Sequence, residues 1–124
     1  MKIIAVFSEC SLVFREKDDR ITFSLVNSKD IISSIDAVRD STYASYGVRL
    51  CNFRTNDKYR GCGYGKLLLS SAIKEITFAD HIHLTAKPSS DGIPLGNLVS
   101  LYASVGFIPT SETDHSVFMV YPTN

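Results

Sequence analysis

The sequence predicts an α/β (α+β) domain, a mixed sheet with helices packed on it. Three observations carry that prediction. Short segments rich in β-branched and aromatic side chains recur along the chain, stretches with helical apolar spacing separate the later ones, and strand and helix then alternate to the end. The 124 residues read as one domain, 1–124, long enough to bury a core without disulfides or metal staples. Apolar residues at 44% and charged residues at 21% are ordinary for a soluble globular protein, so neither a fibrous nor a disordered class is indicated.

Residues 2–8, 12–17 and 21–26 read as strands, with Asp18, Asp19 and Arg20 as the turn between the last two. Asn27 and Ser28 are placed to cap a helix over 28–40, in which Ile31, Ile32, Ile35 and Val38 form one apolar stripe. From Tyr46 to Arg54 the chain alternates as a strand does, with Val48, Leu50 and Asn52 on one face and Arg49, Cys51 and Phe53 on the other. In the next helix Leu68, Leu69, Ala72, Ile73 and Ile76 fall within one arc and leave Ser70, Ser71, Lys74 and Glu75 to solvent. HIHLTA at 81–86 is a further strand, and Lys87 to Gly92 a loop. Pro94 suits the first turn of a third helix that Gly106 ends, and SVFMVY at 116–121 is the last strand.

Thirteen basic residues balance thirteen acidic ones, which removes the global field that a nucleic acid or an anionic membrane surface requires of its partner. A bound anion must therefore be held locally. Cys10, Cys51 and Cys62 are odd in number and form no CxxC pair, which suits reduced thiols and a cytoplasmic location. Glu9 interrupts the initial apolar run before signal-peptide length, and no stretch approaches the roughly 20 apolar residues of a membrane span. A homodimer stays open.

The segment KYRGCGYGKLLL, 58–69, joins a strand to a helix. Helices usually start with an acid or a hydroxyl, because unpaired amides and the dipole make that end positive. Here Arg60 and Lys66 add positive charge beside an already positive end, and the glycines let backbone approach a ligand closely. The pattern asks for a phosphate. It is not a Walker A loop, since Arg60 and Leu67 stand where glycine and Ser or Thr are needed, and G-x-G-x-G is not the dinucleotide fingerprint. The bland alternative is a glycine-rich turn with solvated charges.

Arg60, Gly63 and Gly65 match the R/Q-x-x-G-x-G/A signature of the GNAT superfamily of N-acetyltransferases, and LYASVGF at 101–107 resembles its second common motif. The resemblance spans roughly residues 46–108. It implies a mixed, mostly antiparallel central sheet flanked by helices, the acyl-CoA N-acyltransferase fold. Acetyl-CoA is implied as donor, with its pyrophosphate on Gly61, Cys62, Gly63, Tyr64, Gly65 and Lys66 beside Arg60, and its pantetheine arm along Phe53, Arg54 and Thr55. By the same resemblance Tyr102 is the acid for the departing thiolate, and a backbone N–H of the preceding strand polarises the carbonyl. On periodicity alone Tyr102 shares a stripe with Leu95, Leu98, Val99 and Val105, where a tyrosine simply fills core.

No general base is evident. YGVRLCNFR contains no carboxylate, and Arg49 has the wrong charge for one. His81 and His83 share a strand face, and either could relay a proton through water or be structural. No metal site is expected, and neither Cys51 nor Cys62 is assigned as a nucleophile. The chain departs from the family at Leu95, where relatives often carry asparagine, with Asn97 displaced by two. A three-strand start and one helix stand where relatives have two helices. The expected activity is acetyl transfer to a primary amine on a protein, a peptide terminus or a small molecule, through a ternary complex. The rivals are an acyl-CoA-binding module that has lost catalysis and a nucleotide-binding regulator.

Overall fold

The computed structural model describes residues 2–7, 9–42, 46–76, 78–88 and 93–122. Its strands are β1 (Lys2–Val6), β2 (Ser11–Lys17), β3 (Arg20–Val26), β4 (Ile31–Asp40), β5 (Gly47–Thr55), β6 (His81–Ala86), β7 (Ile108–Glu112) and β8 (Val117–Tyr121). The helices are α1 (Tyr64–Glu75) and α2 (Leu95–Ser104), and one 3₁₀ turn spans Asp57–Tyr59. All eight strands form one sheet in the order β1-β2-β3-β4-β5-β6-β8-β7. Each neighbouring pair is antiparallel except β5 with β6, which gives the mixed, mostly antiparallel sheet that the family resemblance implies. Position 8 of the first expected strand and positions 89–92 of the expected loop lie outside the described residues.

The helix expected over 28–40 is a strand. Ile31–Asp40 pairs with β3 on one side and β5 on the other, and buried Ser33, Ile35 and Ala37 alternate with partly exposed Ser34, Asp36 and Val38. The spacing of Ile31, Ile32, Ile35 and Val38 imitates a helical stripe, but all four are β-branched and lose rotamer freedom in a helix. Two available ladders then decide the outcome. Asn27 does cap, though a turn rather than a helix. Its Oδ1 accepts from the Lys29 and Asp30 amides at 2.9 and 2.7 Å, closing the β3–β4 hairpin as an Asx turn. The expected layout also lacked β7, a short strand exposed at every position, which carries no alternation to read.

The helical arc of α1 is as expected, with Leu68, Leu69, Ala72 and Ile73 buried against β3, β4 and β5. Burying each leucine contributes roughly 1.5–3 kcal/mol relative to exposure, so this face fixes the helix on the sheet. In α2, Leu98 and Tyr102 are buried, Pro94 is the N-cap, and Gly106 follows the C-cap with φ +112°. The two helices touch each other and share one apolar core, so both cover the same face of the sheet. Among the described residues no helix covers the other face.

Candidate active site

Strands β5 and β6 are in register only from Gly47 opposite His81 to Leu50 opposite Leu84. Beyond that both strands continue, to Thr55 and Ala86, but the ladder between them stops. A cleft of about 530 Å³ occupies the gap. Leu50, Phe53, Leu98 and Tyr102 line it from the helix side, and Arg49, Cys51 and Thr85 from the open side.

The cause of the divergence lies in β5. Between the pairs Ser34–Arg54 and Asp36–Cys51, β5 spends two residues where β4 spends one, and Asn52 sits at φ +55°. This is a β-bulge, which bends its strand and disrupts the local ladder. Asparagine tolerates the left-handed region better than most side chains. The expected strand faces need correcting here. Asn52 does not share a face with Val48 and Leu50; its Nδ2 donates to Asp36 Oδ2 at 2.8 Å on the open side. Phe53 is carried by the extra residue to the helix side, where its ring meets Tyr102 edge-on at 6.0 Å.

The glycine segment begins where β5 ends. Gly63 is the N-cap of α1 at φ +86°, without a side-chain cap, and the first turn holds no acid. Its first-turn amides have no intrahelical partner. A Cβ added at Gly61 or Gly63 would meet nothing within 4 Å, so space lies open over this end. Gly65 serves another purpose, since a Cβ there would stand 3.0 Å from the Phe53 ring and 3.6 Å from Thr55 Oγ1 and Leu101. Gly65, Phe53 and Tyr102 thus stack in series, and the helix start is locked to the cleft.

Around this end Arg60 is half-buried, with its Nη2 3.2 Å from the Asp57 carboxylate and its Nε donating to the Thr55 carbonyl at 3.4 Å. Lys66, Gly61 and Cys62 are exposed, and Cys62 is a free thiol, as are Cys10 and Cys51. Tyr64 donates to Glu9 at 3.2 Å, a bond that holds its hydroxyl above the usual range. Thr55 Oγ1 lies 2.9 Å from the buried Ser33 hydroxyl, whereas Arg54 is exposed on the open side opposite Ser34. Asn27 Nδ2 donates to Tyr59 Oη at 2.8 Å, and that hydroxyl donates to Asp30 at 2.7 Å, which ties the β3–β4 turn to the 3₁₀ turn before the glycines.

Tyr102 is 7% exposed, packed between Phe53 and Phe107, and burial pushes its phenol up to about 12. Its hydroxyl has no hydrogen-bond partner among the described residues, although the side chain lines the cleft. His83 is buried with Nε2 2.8 Å from Asp40 Oδ2 and its ring against Phe118, while His81 is exposed. His83 is therefore held in a structural pair. The Thr42 hydrogen bonds and then His83 hold Asp40 down at about 2. No group of three metal-ligating side chains occurs among the described residues.

Sequence reasoning missed the bulge and the residues it exposes. An asparagine at a position that the alternation puts on the apolar face with Val48 and Leu50 was the available signal. It also missed the polar set around Asp36, which accepts from Arg20, Thr22 and Asn52, because those residues are remote in sequence.

No family model and no curated protein matches the sequence. Solved structures do match. A Bacillus subtilis acetyltransferase in complex with CoA superposes with a TM-score of 0.73 at 13% identity, over 94% of this chain and all of that one. The NatC complex bound to Gag peptide and CoA gives 0.69 at 19% identity, over 83% of this chain and 71% of that one. A spermidine N-acetyltransferase chimera built from Vibrio cholerae SpeG and hSSAT gives 0.65 at 13% identity, over 85% and 68%. With a splayed parallel pair, a bulged strand and a glycine-led helix on a mixed sheet, the chain has the GNAT acetyltransferase fold.

Proposed function

We propose that the chain is an acetyl-CoA-dependent N-acetyltransferase that acts on a primary amine by direct attack in a ternary complex. The observation that carries this reading is the meeting of two features: an uncapped, glycine-led helix start and, one side-chain layer away, a cleft lined by a buried tyrosine whose hydroxyl has no protein partner. The structural neighbours named above, two of them described with CoA, support the donor.

The residues fit the coenzyme. Open space over Gly61 and Gly63, free first-turn amides and the nearby Arg60 and Lys66 suit a pyrophosphate. Acetyl-CoA supplies a thioester whose carbonyl the amine nitrogen attacks, forming the C–N bond as the C–S bond breaks. A backbone amide of β5 beyond Leu50, where its ladder with β6 ends, would donate to the developing oxyanion. Tyr102 gives its proton to the departing sulfur and regains one from water. Its raised pKa keeps it protonated at neutral pH, which suits an acid and excludes it as the base. The amine's own proton leaves to water, since no carboxylate lines the cleft among the described residues.

Mass spectrometry of the purified protein for retained coenzyme A, then calorimetry with acetyl-CoA, tests the donor site. Arg60→Ala should weaken binding by about 1 to 3 kcal/mol, the scale of a charge-assisted hydrogen bond. Gly63→Val, which forces a β-branched residue to φ +86°, should weaken it further. Unchanged affinity in both variants removes the site from this loop. The lack of a lining carboxylate favours a second reading, an acyl-CoA-binding module without turnover, which predicts intact binding and no thiol release on any amine.

A further inference from the structure

The open side of the cleft carries charge that the acetyl-transfer reading leaves unused. Arg49 and Thr85 line it, and Lys87 continues the alternation of β6 onto the same side. Arg49 and Lys87 are exposed, and neither has an ion pair or side-chain hydrogen bond among the described residues. The neighbouring carboxylates on β4 are engaged elsewhere. Asp36 accepts from Arg20, Thr22 and Asn52, and Asp40 is bound by His83 and the Thr42 amide. Among the described lining residues there is no Asp or Glu.

Two uncompensated cations at a half-enclosed mouth repel a second ammonium near the reacting nitrogen and attract a carboxylate. Their field also favours the neutral, nucleophilic form of an approaching amine, which is what a site without a carboxylate base requires. The bulge that opens the cleft leaves Arg49 two residues before Cys51 at its floor, so the cation and the Tyr102 side chain face one cavity from opposite sides of the sheet.

Resting on the acetyltransferase reading, we propose that the acceptor is a small amine carrying a carboxylate, of the amino-acid type, whose carboxylate is bound by Arg49 and Lys87 while its nitrogen faces Tyr102. The guanidinium suits a bidentate carboxylate contact and the ammonium a point contact.

The test is a thiol-release assay with acetyl-CoA and matched acceptors: free amino acids, their carboxamides, the corresponding decarboxylated amines, and spermidine. The amino acids should exceed their carboxamides at least tenfold in kcat/KM. Arg49→Gln and Lys87→Gln should erase that ratio by raising the acceptor KM, with the acetyl-CoA KM unchanged. Both side chains are exposed, so folding should survive either change. Faster turnover of carboxamides, decarboxylated amines or spermidine, or a ratio that both variants preserve, overturns the inference and leaves the transferase reading standing. No turnover on any amine overturns both.

Discussion

Strand β5 has two edges that behave differently. Against β4 it pairs from Gly47 to Thr55 with one bulge absorbed, whereas against β6 it pairs only as far as Leu50. The same nine residues thus serve as sheet on one side and as cleft wall on the other. The lesson is that a bulged strand diverging from a parallel neighbour is enough to open a cleft, which Lys87, Pro88 and Ile93 then edge. Tyr102 and the glycine-led helix are then brought to that space by α2 and α1.

The largest effect should come from removing chemistry while leaving the divergence intact. Tyr102→Phe keeps the ring against Phe53 and Phe107 and deletes only the hydroxyl, so turnover should fall by something like 10²-fold. Coenzyme A affinity and Tm should stay nearly unchanged. Normal turnover with a lowered Tm would assign Tyr102 to core filling alone.

The next effect sharpens the comparison through pH. The Tyr102 phenol is raised to about 12 in the fold, so the unfolded chain deprotonates first, near its ordinary value of 10. Its contribution is therefore complete below about pH 10 and is lost as pH rises toward 12, by on the order of 2 kcal/mol. Urea unfolding of wild type and Tyr102→Phe, nearly equal at neutral pH, should diverge across that range as wild type alone weakens, and stay parallel if burial of the phenol does not govern it.

A smaller effect tests the bulge. Asn52→Val places a β-branched residue at φ +55° and deletes the donor to Asp36, which should cost about 1 kcal/mol or flatten the strand. Either way the β5–β6 divergence is disturbed, and turnover should fall more than stability does. Asn52→Gly, which accepts the same φ, should retain activity. Equal activity of the valine and glycine variants would detach the bulge from the chemistry.

The local features of the candidate site were more legible in the sequence than the scaffold that holds them. The glycine segment announces itself locally, through Gly63 and Gly65 beside Arg60 and Lys66, and α1 follows from Leu68, Leu69, Ala72 and Ile73. Strand β4 was not legible, because Ile31, Ile32, Ile35 and Val38 satisfy a helical period by chance while the two ladders that settle the matter are pairings with β3 and β5 that a local period does not reveal. The bulge at Asn52 escaped for a related reason, since one residue of slip moves Phe53 across the sheet without changing its local composition. Exposed β7 offered no pattern at all.

The single parallel pair has a kinetic consequence. Consecutive strands from β1 to β5 pair in sequence order, so each closes a short loop, whereas the β5–β6 pairing closes a longer one that contains α1. Loop-closure entropy makes that docking the later event during folding and the earlier one to reverse. The cleft therefore belongs to the last-assembled and first-opened part of the molecule, and amide exchange should be faster in β6 than in β3. Because a ligand held across that seam binds the closed form alone, its occupancy should slow exchange in β6 and α2 far more than in the meander.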